Sequence, residues 1–95
     1  MKEKELLNQY LQDNNLRQTP ERYIVLKYIY QLNTHFDIDY LFEYISKNEK
    51  ISKATIYNNL EILTKAKLIN QIKFNNNKIL YEKSLNKKQH DHLIC

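Results

Sequence analysis

No glycine occurs anywhere in the 95 residues of this chain, and that absence narrows what it can build. Loops that wrap a phosphate with bare backbone need glycine, so nucleotide-cradling loops are excluded. Every backbone position needing φ > 0 is expected to fall to asparagine, the next most tolerant residue. The length admits a single core. No apolar run approaches the roughly 18–20 residues that cross a bilayer, and Met1-Lys2-Glu3-Lys4-Glu5 leads into no apolar signal core. One cysteine, Cys95, cannot close an internal disulfide and suits a reducing compartment. The expected protein is small, soluble and cytoplasmic, without a membrane partner.

Charge is unevenly spread. Residues 1–46 carry five basic and seven acidic side chains, net −2, whereas residues 47–95 carry ten and four, net +6. Such polarity fits a fold whose C-terminal side meets a polyanion, and nucleic acid is the usual large one. Charge alone fits a lysine-rich solvated surface equally well.

Helical signals fill the first two thirds. Leu6, Leu7, Tyr10 and Leu11 recur at helical spacing in a short amphipathic helix that stops at Asp13-Asn14-Asn15. Thr19-Pro20 opens a second helix, with Thr as N-cap and Pro at the first helical position; its predicted buried stripe is Val25, Leu26, Ile29 and Leu32. A loop with His35 follows. Asp37 then caps a third helix that turns Ile38, Leu41, Phe42 and Ile45 inward. The fourth helix has the sharpest start: Ser52 is the N-cap, and Ile51 can pack on Ile56 as a hydrophobic staple. Ile56, Leu60 and Leu63 share its inner face; Ala54, Tyr57, Asn58, Glu61 and Lys65 share the outer one.

After Lys67 the pattern becomes strand. Residues 68–74 and 78–82 flank Asn75-Asn76-Asn77, a hairpin in which Asn supplies the left-handed turn residue. Residues 85–95 read as a linker and the first strand of a further domain, cut short at Cys95. The fold class is mostly α with a β-hairpin wing, a winged helix-turn-helix spanning residues 1–84, in which the last helix enters the major groove of DNA.

Three segments, residues 16–22, residues 52–60 and Tyr81-Glu82 with residues 90–95, together resemble the ferric uptake regulator family. Leu16-Arg17-Gln18-Thr19-Pro20-Glu21-Arg22 is similar to its "LR-x-T-x-x-R" lead into the second helix. Ser52-Lys53-Ala54-Thr55-Ile56-Tyr57-Asn58-Asn59-Leu60 resembles its recognition helix, "S-x-A-T-V-Y-x-x-L". Tyr81-Glu82 followed by His90-Asp91-His92-Leu93-Ile94-Cys95 resembles the passage from the wing into its dimerisation domain. The resemblance implies a metal-responsive transcriptional repressor: a homodimer when full length, binding an A·T-rich palindromic operator in double-stranded DNA. The fragment alone is expected to be monomeric or weakly associating. Members usually carry Cys-x-x-Cys where this sequence ends, so a structural Zn²⁺ is expected only in a full-length protein.

Tyr57 is the leading base reader, because its ring can meet thymine methyls while its hydroxyl reaches a base edge. Asn58 stands where many members have Arg, which shifts the preferred base edge from guanine to adenine. Ser52, Lys53, Thr55 and Lys65 are candidate phosphate contacts at the fourth helix, as are Lys73 and Lys78 beside the wing tip. Arg17 sits where the family places a basic residue that reaches the minor groove. His90 and His92, two apart on a strand, share a side, while Cys95 has opposite parity, which indicates two separate metal sites. The resemblance implies His35, Glu82, His90 and His92 as regulatory ligands for Fe²⁺, Zn²⁺ or Mn²⁺, and Cys95 as a structural zinc ligand.

Other functions remain open at this point. A winged helix can dock protein through its Tyr57 face, or the fragment can be inactive and without metal response. A small metalloenzyme built on His90, His92 and Glu82 is disfavoured, since no metalloprotease motif and no nucleophile–base constellation occurs.

Overall fold

The computed structural model describes residues 2–74 and 77–84. Four helices precede a hairpin: α1 (Lys2–Asp13), α2 (Pro20–Gln31), α3 (Ile38–Ser46), α4 (Lys53–Lys65), β1 (Ile69–Lys73) and β2 (Ile79–Lys83). The strands pair antiparallel with Gln71 opposite Tyr81. This is a winged helix-turn-helix, with α3 and α4 as the helix pair and the hairpin as wing.

The core forms where the helix stripes converge. Val25, Leu26 and Ile29 of α2, Leu41 and Ile45 of α3, and Ile56, Leu60 and Leu63 of α4 are buried together, with Leu7 and Leu11 of α1 on one side and Leu68, Ile69 and Tyr81 of the wing on another. Burial of this kind supplies most of the stability of a small domain. Two expectations shift. Leu6 is exposed, because α1 buries only the Leu7–Leu11 stripe. Tyr28 joins the buried set, where its ring meets Tyr44 edge-on.

Helix starts follow local chemistry at two places and not at a third. The Asp37 carboxylate accepts from the Tyr40 N–H at 2.8 Å, and the Ser52 hydroxyl accepts from the Thr55 N–H at 3.1 Å. Each bond satisfies an amide that a helix start otherwise leaves unpaired. Thr19 occupies the N-cap position of α2 with Pro20 following it, but its side chain makes no capping bond. The Thr19 carbonyl instead accepts from the Arg22 N–H at 3.1 Å.

Among the described residues, three adopt positive φ: Asn15 (56°), Lys67 (64°) and Asn77 (67°). Two are asparagines, as the glycine-free sequence requires. Lys67 departs from that rule. It ends α4 in a Schellman motif, with the Leu68 N–H donating to the Leu63 carbonyl and the Lys67 N–H to the Thr64 carbonyl. Burial of Leu68 holds this reversal against the β-carbon crowding that a lysine suffers there. Asn15 closes α1 the same way, through Leu16 N–H to Leu11 carbonyl and Asn15 N–H to Gln12 carbonyl.

Candidate nucleic-acid interface and metal-ligand pair

The outer face of α4 presents Ala54, Tyr57, Asn58, Glu61 and Lys65 to solvent, the set that helical projection predicts, and Lys53 is exposed beside them. Its inner face is locked into the core by Ile56, Leu60 and Leu63. Tyr57 is 45% exposed, unusually open for an aromatic ring on a well-packed helix. The Glu61 carboxylate, one turn along, raises the Tyr57 phenol above its ordinary pKa through a hydrogen bond and its negative charge.

Around the start of α4 the polar candidates already have partners. The Ser52 hydroxyl donates to Thr55 Oγ1 at 3.0 Å while accepting from the Thr55 amide, which leaves the Thr55 hydroxyl proton to point elsewhere. Lys53 forms an ion pair with Asp39 of α3. Sequence reasoning missed Asp39, since a pair between two helices leaves no local signature.

A second connection runs beneath this face. Asn59 turns inward and is buried at 3% exposure. Its amide donates to the Thr55 carbonyl at 3.0 Å, and its side-chain oxygen accepts from Arg22 Nη1 at 3.1 Å. The same guanidinium donates from Nε to the Arg17 carbonyl at 2.7 Å. Arg17 itself is exposed, in the stretch between α1 and α2.

At the wing tip, the Phe74 N–H donates to the Lys78 carbonyl at 2.9 Å and the Asn77 N–H to the Phe74 carbonyl at 3.1 Å. These bonds close the hairpin around left-handed Asn77 and set Lys73 and Lys78, both exposed, on either side of the turn.

The structure brings two of the predicted metal ligands together. Phe36 forms a β-bridge with Tyr81, exchanging both backbone hydrogen bonds at 3.0 and 2.8 Å, and their buried rings stack. In an antiparallel pairing the next residues outward, His35 and Glu82, fall opposite each other, on the close-spaced kind of pair and on the face away from the core. His35 Nε2 lies 3.1 Å from Glu82 Oε1. Among the described residues no group of three or more His, Cys, Asp or Glu converges; His90, His92 and Cys95 lie outside the described residues. Nor is any described helix long and apolar enough to cross a membrane.

A helix pair followed by a β-hairpin wing, with one face of its last helix exposed, is the winged-helix class of fold, one that many DNA-binding domains share. Within that class, the profile of the ferric uptake regulator family matches residues 13–95, and the chain belongs to this family. It is 32% identical over 94 residues to the ferric uptake regulation protein of Campylobacter jejuni, covering 96% of this chain and 59% of that protein. It is 30% identical over 86 residues to the peroxide-responsive repressor PerR of Staphylococcus saprophyticus, covering 90% and 57%. The Helicobacter pylori ferric uptake regulator, whose structure is described as revealing three functional metal-binding sites, superposes with a TM-score of 0.80 at 21% identity, over 90% of this chain and 58% of that one. The chain thus spans about three fifths of the length of these curated relatives.

Proposed function

We propose that this chain is the DNA-reading part of a metal-responsive transcriptional repressor. The observation that carries the reading is the outer face of α4: Tyr57 and Asn58 stand open to solvent on a helix whose opposite face is fixed in the core. Tyr57 and Asn58 meet base edges in the major groove, and Arg17 reaches the adjacent minor groove. Thr55, Lys65, Lys73 and Lys78 meet phosphates, with the capped start of α4 and, once released from Asp39, Lys53. The relatives' names, one a regulation protein and the other a repressor, favour a regulator over an enzyme. In the whole protein two such domains in a homodimer read the halves of an A·T-rich palindrome.

His35 and Glu82 fit a divalent metal: one nitrogen and one carboxylate oxygen converge on the outer side of the Phe36–Tyr81 bridge. This donor set suits Fe²⁺, Zn²⁺ or Mn²⁺. His35 and Glu82, with His90 and His92, would hold such a cation, which would supply positive charge between these donors. The domain's own contribution is to hold its two donors facing each other before any ion arrives.

The test is selection of bound duplexes from a random pool, scored by fluorescence anisotropy at two salt concentrations. Enrichment of an A·T-rich half-site, bound more weakly as salt rises, supports the reading. Binding that ignores both sequence and salt overturns it and favours a protein-docking face.

A further inference from the structure

We infer that Arg22 is a positioning residue that couples minor-groove reading by Arg17 to major-groove reading by α4, an assignment that rests on the DNA-binding reading above. The two readers lie in different parts of the chain. Arg17 sits in the non-helical stretch between α1 and α2, and Tyr57 and Asn58 sit on α4. Among the described residues, the side chain of Arg22 hydrogen-bonds to both regions. Arg22 Nε donates to the Arg17 carbonyl at 2.7 Å, Arg22 Nη1 donates to Asn59 Oδ1 at 3.1 Å, and Asn59 Nδ2 donates to the Thr55 carbonyl at 3.0 Å.

The chemistry of this chain of bonds is specific. A guanidinium is planar and offers donors in a rigid fork, so two acceptors bound to it are held at a fixed separation; a lysine ammonium has no such fork. The orientation of the Asn59 amide follows from its partners, since the opposite one would set its NH₂ against a cation and its oxygen against a carbonyl. Asn59 is the one polar side chain among the buried described residues, and every buried side-chain polar atom described has a partner. Fully satisfied polar links of this kind select one geometry among close alternatives more than they add stability.

The fold does not need the link. Val25, Leu26 and Ile29 already pack with Ile56, Leu60 and Leu63 in one apolar cluster. The polar connection lies instead at the start of α2, beside an open groove lined by Thr19, Arg22, Thr55 and Asn58. Its effect is to fix where the Arg17 backbone stands relative to the first two turns of α4. A fixed offset makes the minor-groove and major-groove contacts a single reading unit. A loose one leaves Arg17 as a tethered charge that orders only on binding and loses affinity in doing so.

The experiment is a double-mutant cycle on the 95-residue chain. The probe is the tightest duplex that the unaltered chain enriches from a random pool. Arg17→Ala is measured in the unaltered background and in R22M/N59L, which replaces the link by apolar side chains of similar size. Arg17→Ala is expected to weaken binding about tenfold in the first background, the scale of one good groove contact, and less than twofold in the second. Tyr57→Ala is expected to lose the same factor in both. Equal losses for Arg17→Ala in the two backgrounds overturn the proposal. Should R22M/N59L melt below the assay temperature, Arg22→Lys carries the same comparison, with the loss again expected to fall below twofold; retention of the full tenfold factor there overturns the fork argument. An unaltered chain that enriches no duplex overturns the DNA reading itself, a result distinct from equal losses.

Discussion

The first turns of α4 and the tip of the wing both offer lysines to solvent, yet they are held in opposite ways. At α4, side chains fix one another: Ser52 caps Thr55, Lys53 pairs with Asp39, and Asn59 ties Thr55 to Arg22. At the wing, backbone bonds across Phe74, Asn77 and Lys78 set the turn, with Lys73 and Lys78 exposed on either side of it. The contrast matches two tasks in recognising a duplex. Reading bases rewards side chains already in position, whereas neutralising phosphates needs only charge at the right height. On the proposed reading, a rigid reader at α4 and a charged clamp at the wing share one small domain.

The largest expected effect comes from undermining the rigid half. Leu60→Ala deletes a fully buried side chain of α4 and is expected to destabilise the domain by about 2–5 kcal/mol, read from the urea midpoint; a shift under about 1 kcal/mol would mean α4 is not anchored as described. Tyr57→Ala keeps the fold and is expected to remove about 1–3 kcal/mol of discrimination between duplexes while salt-sensitive background binding persists. A variant that still ranks duplexes as before would show that the rigid face is not the reader. Ser52→Ala is expected to lower stability by about 1 kcal/mol, measured by thermal melting; an unchanged melt would mean that the Ser52 cap does not anchor the start of α4.

Smaller effects sharpen the other side. Lys73→Ala is expected to weaken all duplexes alike and to reduce the slope of log affinity against log salt by about 1; altered sequence preference would assign the wing a reading role. Least of all, Glu61→Gln is expected to bring the Tyr57 phenol pKa down toward its ordinary value, because the neutral amide no longer opposes the phenolate. An NMR titration of the tyrosine ring carbons checks the direction.

The features legible in the sequence are those whose causes lie within a few residues. Asp37 and Ser52 cap amides three positions on, so their roles can be read from spacing alone. The inner and outer faces of α4 follow from a 3.6-residue period. The turn at Asn77 follows from the lack of glycine beside a residue that tolerates positive φ. Thr19 looked like the same kind of cap, but its hydroxyl does not bond to the start of α2. Links across elements left no such trace. Asp39 and Lys53 are fourteen positions apart and Arg22 and Asn59 thirty-seven, and only the folded core sets them side by side. The opposition of His35 and Glu82 depends on a bridge between a loop and a strand forty-five residues further on, which no local period announces. Their naming as ligands rested on family resemblance; the register of that bridge is what sets the two side chains face to face.

The reversal at Lys67 has a consequence outside the folded state. A glycine at that point would relax the end of α4, but each glycine also enlarges the set of shapes open to the unfolded chain. With none in 95 residues, the denatured ensemble is narrower than that of an ordinary sequence of this length, and less freedom is lost when it collapses. Local crowding at one lysine is thus set against a saving spread over the whole chain, which helps so small a core hold together.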